Sequence, residues 1–246
     1  MRDRRSSGPL IAAFFIGAAA VAAAFYLRPF EASPDSGLLD SDATVCVQRK
    51  PFGIAFLPQA APRRVGLAFY QAARVPPEAY AYLGHAAAAS GYTAVLLSAP
   101  LHIPSLAPGG LDRAMTAFPN IQSWVLAGDG SGGSWAASQL PSGGARIAGL
   151  ILLDSVPKAD LSASTLAVLS LSASAGESAT VSSRGRLPAS TRFVDISGGK
   201  GSQFGEYKAD SDKVVATLPA AAQRRAGVEE ILAFLGRAAS APRKED

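Results

Sequence analysis

Gly128-Asp129-Gly130-Ser131-Gly132-Gly133 stands between an apolar, strand-like run at 123–127 and a helix-like segment at 134–140. Glycines at four of six positions let a backbone turn sharply and let a helix pack close to the strand that feeds it. Outward from this strand–turn–helix unit, apolar, strand-like runs recur at 65–70, 92–98, 147–153 (continuously apolar) and 166–171, with a further strand expected at 192–196. Helical patterns separate or follow them at 77–90, 111–118 and 228–235. Strands buried on both faces read this way, so the alternation predicts an α/β fold with a central, mostly parallel sheet between two helical layers. Residues 44–48 and 54–57 are expected to form an antiparallel hairpin before it. Residues 172–190, rich in Ser, Ala and Gly, are expected to be loop or weak helix, and no internal repeat is visible.

Composition narrows the function classes. The chain has 246 residues, 48% of them hydrophobic, enough for one sizeable core. Of 23 basic and 19 acidic residues, three and one lie in the first five positions, leaving 20 against 18. That balance, with no basic cluster interleaved with aromatics, excludes a nucleic-acid binder. Cys46 is the only cysteine and is expected to pack as a small buried hydrophobe. With two histidines, His85 and His102, no metal site is expected. His85 falls off the apolar helix face and is expected to be exposed, and Trp124 and Trp135 are expected in the core.

The first residues read as an address. Residues 10–27 carry no charge, and at helical rise they extend roughly 27 Å, enough for a thin bilayer core. Arg2, Arg4 and Arg5 precede the run, which predicts a cytoplasmic tail at 1–9, a transmembrane helix at 10–27 and the rest of the chain outside the cytoplasm. A cleaved signal peptide ending at Ala22-Ala23-Ala24 is the rival. Residues 28–40 read as a linker, 41–238 as one folded domain and 239–246 as a solvated tail.

The turn itself admits two chemistries. Gly128, Gly130 and Gly133 fit the dinucleotide pattern G-x-G-x-x-G, and Asp154 follows 21 residues past Gly133, where a ribose-binding acid is wanted. Against a dinucleotide-binding oxidoreductase stand the strands that precede the turn, and Asp129, a carboxylate beside the pyrophosphate position. A phosphate-binding P-loop is excluded, because Gly199-Lys200-Gly201 has no hydroxyl residue after lysine.

The second chemistry comes from a resemblance. The segments Gly66-Leu-Ala-Phe-Tyr-Gln-Ala-Ala-Arg-Val, Pro77-Glu-Ala-Tyr, Gly91-Tyr-Thr-Ala-Val-Leu-Leu, Ile121-Gln-Ser-Trp-Val, Gly149-Leu-Ile-Leu-Leu and Ser202-Gln-Phe-Gly-Glu-Tyr resemble, in order, a bacterial family of membrane-anchored α/β-hydrolases. The resemblance implies a three-layer α/β-hydrolase fold over about residues 41–238. In that family the turn is a nucleophile elbow, Gly-His-Ser-x-Gly-Gly, which lifts a serine above the sheet. Here the serine position is Gly130, and Ser131 follows it where the elbow contributes an N–H to the oxyanion hole. The family's acid position matches Gly176 and its histidine position Gly201, so the resemblance implies three glycines in place of a triad. Its Tyr-Pro-Gly oxyanion stretch corresponds to Tyr70-Gln71-Ala72. The elements of an oxyanion or ligand turn are thus Gly128, Gly130, Ser131, Gly132, Gln71 and Ala72.

Chain order agrees with the loss. The fold runs serine, acid, histidine, whereas both histidines here precede the turn. Three functions follow, with no cofactor expected for the first two. The chain is a degenerate, membrane-anchored hydrolase kept as a binding or structural domain for a small molecule or a protein. Alternatively it is an active carboxylic-ester hydrolase with Ser131 as displaced nucleophile and Lys200 as base, or else the oxidoreductase above. Asp154 and His102 lie past strand ends and either line a pocket or merely occupy turns.

Overall fold

The computed structural model describes residues 14, 17, 27–173, 182–209 and 214–240. Most of the 10–27 run, Gly176 and the terminal 241–246 lie outside the described residues. Among the described residues, no helix is long and apolar enough to cross a membrane.

An eight-stranded sheet forms the centre. Its strands are β1 (Val45–Lys50), β2 (Gly53–Pro58), β3 (Val65–Tyr70), β4 (Thr93–Leu97), β5 (Ser123–Asp129), β6 (Ile147–Leu153), β7 (Ala167–Ala173) and β8 (Arg192–Ile196). They lie in the order β1-β2-β4-β3-β5-β6-β7-β8. The β1–β2 and β2–β4 pairs are antiparallel and all the others parallel. The expected hairpin is therefore the start of the main sheet. β3 and β4 are buried at every residue, which explains their unbroken apolar reading. The edge strands β1 and β8 carry Arg49, Lys50, Arg192 and Asp195, charges that discourage further pairing.

Successive side chains alternate between the two faces. Leu67, Phe69, Ile151 and Leu153 pack with Tyr80, Leu83, Phe234 and Leu235. These belong to a 3-10 turn at Pro77–Tyr80, helix α1 (Ala81–Ala89) and the closing helix α5 (Ala220–Ser240). On the other face Ala68, Leu126, Leu150 and Leu152 pack with Leu111, Met115, Ala136 and Ala137, from α2 (Gly110–Ala117) and α3 (Ser131–Ser138). A four-residue helix α4 (Leu140–Gly143) follows α3.

Several local expectations change. α3 begins at Ser131, three residues earlier than expected, and α5 extends well beyond 228–235 at both ends. β7 runs on into the segment expected to be loop. His85 is half-buried, because Asp42 reaches its Nε2 at 2.8 Å from the loop before β1. Cys46 is half-buried on the edge strand rather than in the core. Trp124 is fully buried and Trp135 partly so.

The chain leaves β3 for β4 on one side and returns to β5 on the other. The helices after β3 and β5 then cover opposite faces, which opens a crevice at the carboxyl ends of these two strands, where open α/β sheets hold ligands.

Candidate functional site

The turn after β5 sits in that crevice and is closed by its own glycines. A Cβ at Gly132 would lie 2.3 Å from the carbonyl oxygens of both Tyr70 and Gln71. One at Gly128 would lie 2.4 Å from the backbone of Gly132 and Gly133, and one at Gly133 2.5 Å from Ser155 Oγ. Side chains are therefore excluded at three of the four glycines by backbone packing. Gly130 differs. A Cβ there would meet nothing closer than Ala72 Cβ at 4.0 Å, but its φ of +52° and ψ of −116° suit glycine alone. Its N–H donates to the Leu153 carbonyl at 2.9 Å, and its carbonyl accepts from Ser155 Oγ at 2.5 Å. The position is thus fixed by β6 and the residues just after it.

Two N–H groups of the loop after β3, those of Ala72 and Ala73, are both occupied. Ala73 N–H donates to Ser131 Oγ at 2.9 Å, and Ala72 N–H to Tyr80 Oη at 3.2 Å. Tyr80 in turn donates to Asp129 Oδ2 at 2.8 Å. Asp129 is 4% exposed. Burial pushes its carboxyl up to about 7, opposed by the Tyr80 bond and reinforced by the charge of Asp154. The sequence singles out Ala72 and Asp129 but neither Tyr80 nor its link between them. The one signal for that link was a carboxylate at the end of a buried strand, which demands a donor. Gln71, 1% exposed, leaves its Nε2 without a protein partner.

Asp154 follows β6 with φ +43° and donates its N–H to the Leu171 carbonyl at 2.8 Å. Burial raises its carboxyl, the Ala173 N–H opposes this, and Asp195 adds to the rise. A Cβ at Gly201 would stand 2.2 Å from Asp154 Oδ2. The carboxylate therefore fills the volume into which any side chain at 201 would project. Gly201 opens the 3-10 turn Gly201–Phe204, held from below where Gln223 binds both the N–H and the carbonyl of Lys200 at 2.9 Å.

The remaining candidates do not converge on Ser131. Lys200 Nζ donates to the Val214 carbonyl at 3.4 Å, and no hydrogen bond joins it to Ser131. His102 is half-buried with φ +54°, and burial lowers its imidazole while Glu78 opposes this. Its carbonyl accepts from the Arg74 N–H at 2.9 Å, and its Nδ1 has no partner. No group of three metal-binding side chains occurs among the described residues. Asp129 facing Tyr80 and Asp154 facing Gly201 add nothing to the dinucleotide alternative.

The Asp129 carboxyl supplies a pH test. Its folded value, about 7, exceeds the unfolded 3.8. The native state therefore binds the extra proton between these values, and stability present below about pH 4 is lost as pH rises through 7. Asp129→Asn is expected to remove that loss, worth at most about 4 kcal/mol. Urea unfolding at pH 5 and pH 8 should show the native chain falling and the variant staying level. Parallel falls would contradict the assignment.

The sequence matches the model of the Alpha/beta hydrolase family over residues 66–225. No curated protein sequence matches this one. Among solved structures, the fold is similar to that of carboxyl esterase 2 from the mycorrhizal fungus Tuber melanosporum. The TM-score is 0.56 over 79% of this chain and 87% of that one, at 12% identity. Likeness at that identity speaks to the fold. The family match covers more than half of the chain and takes in the loop after β3, the turn after β5 and the 198–205 loop, so the chain is a member of the alpha/beta hydrolase family.

Proposed function

We propose that the chain is a degenerate hydrolase, anchored by residues 10–27 with its domain outside the cytoplasm and retained as a binding or structural domain. The observation that carries the loss of chemistry is the occupation of the site by the chain's own groups. Position 130 has no side chain, and Ser131 Oγ caps the Ala73 N–H. Asp154 fills the space before Gly201. Acyl transfer needs a nucleophile, a base within hydrogen-bond reach and free donors for the oxyanion. Among the described residues no base is hydrogen-bonded to Ser131, and its hydroxyl already accepts from one donor of the loop.

Two measurements follow. Turnover of short-chain aryl esters is expected to stay at the buffer background, with Ser131→Ala unchanged. A robust rate abolished by Ser131→Ala would mean that the nucleophile has moved by one residue. For the anchor, the chain is to be expressed in a bacterial host and protease added to spheroplasts. Digestion of the domain with a short membrane-bound stub left behind is expected. A fully protected chain, or a mature N-terminus near Phe25, would contradict it.

A further inference from the structure

The residues that follow the apolar run are bound to the loops that carry the site. Arg74 Nε donates to the Arg28 carbonyl at 2.9 Å, and Phe30 N–H donates to the Arg74 carbonyl at 2.8 Å. The Arg74 guanidinium lies 4.4 Å from the centre of the Phe30 ring. Farther on, Ser33 N–H donates to the Glu206 carbonyl at 2.8 Å, and Glu31–Ala32 pairs antiparallel with Tyr207–Lys208. The segment thus ties the loop after β3 to the loop after β8. Leu27, the last residue of the run, is one residue, about 3.8 Å along the chain, from the bound Arg28. Whatever holds residues 10–27 therefore begins beside the carboxyl edge of the sheet.

That edge is also where the exposed apolar side chains gather. Among the described residues, the exposed large hydrophobics are Phe14, in the run itself, Leu101 and Leu106, each 49% exposed, and Val215 at 83%. Leu101 and Leu106 stand on the loop after β4, and Val215 on the loop after β8. Single exposed leucines are ordinary, but all three here lie on the edge from which the apolar run departs. The β4 loop is fastened to the same point, since Arg74 N–H donates to the His102 carbonyl at 2.9 Å. Leu101 and His102 have φ of 53° and 54°, which residues with side chains rarely adopt. This strained backbone presents an apolar side chain to the outside.

We propose that the carboxyl edge is a membrane-docking surface, with Leu101 and Leu106 seated in the headgroup region of the bilayer that holds residues 10–27. Arg74, bonded through its N–H to His102 next to Leu101, and Arg28, where the run leaves, carry positive charge that favours anionic headgroups. The docking rests on the anchor proposed above. It turns the crevice between β3 and β5 toward the lipid, so that a ligand reaching it arrives from the bilayer side.

The test uses the full-length chain carrying Cys46→Ser and one fluorescent label, at Leu101→Cys, Leu106→Cys or, as a control on the opposite edge, Asn120→Cys. Each is reconstituted into phosphatidylcholine–phosphatidylglycerol vesicles that carry nitroxide lipids. Quenching of roughly twofold is expected at 101 and 106 and none at 120. If the chain floats with the vesicles and no label is quenched, docking is overturned and the anchor stands. If the chain does not float with them, both are overturned. Labels at 101 and 106 shielded from water but not quenched by lipid would mean that a protein or a second copy covers the edge, which also overturns the proposal.

Discussion

The contact between the turn after β5 and the end of β3 sets the rest of the site. With Gly132 lying against the carbonyl oxygens of Tyr70 and Gln71, the two strands can neighbour each other only while the turn stays free of side chains there. Gly128 and Gly133 extend the same restriction toward α3 and Ser155. Backbone carbonyls cannot move aside as a long side chain does, so this packing persists whatever chemistry the turn supports. It also keeps the shape of the turn independent of any side chain at position 130, where a Cβ would meet nothing closer than 4.0 Å.

Around that fixed backbone, polar groups of the chain pair with one another. Ser131 and Tyr80 satisfy the N–H groups of Ala73 and Ala72, and Asp154 stands where a side chain at 201 would project. The Ala72 bond is part-buried and the Ala73 bond exposed, so an open donor at Ala73 would be met by water and the internal pairing contributes little there. Asp129 differs. It is a buried carboxyl whose charge the fold disfavours, and its hydrogen bond from Tyr80 offsets only part of that.

Much of the fold was legible because burial on both faces writes itself as unbroken apolar runs, as in Val65–Tyr70 and Ile147–Leu153. The position of the turn was legible for a related reason, since the glycines that packing demands are visible as letters. The same glycines hid the start of α3, because Gly132 and Gly133 are poor helix formers and read as loop. The length of α5 was hidden too, where Ala and Arg extend a helix without an apolar stripe. Contacts between distant residues were not legible at all. His85 was misjudged because Asp42, 43 residues away, comes to meet it. The meeting of Asp154 with Gly201 and of Tyr80 with Asp129 likewise depends on strand order, which no local pattern encodes.

The central claim is that the turn holds at Gly130 the strained backbone of a nucleophile elbow, in a conformation that glycine adopts without a side chain. A residue with a side chain held at φ +52° and ψ −116° costs of order 1–3 kcal/mol, while glycine adopts it at little cost. The direct measurement is denaturant unfolding of the chain with and without Gly130→Ser. Because a Cβ at 130 would meet nothing closer than Ala72 Cβ at 4.0 Å, a loss does not come from a clash of the new Cβ. The account expects a lower midpoint at equal slope, by about 1 kcal/mol or more. An unchanged or higher midpoint would contradict it.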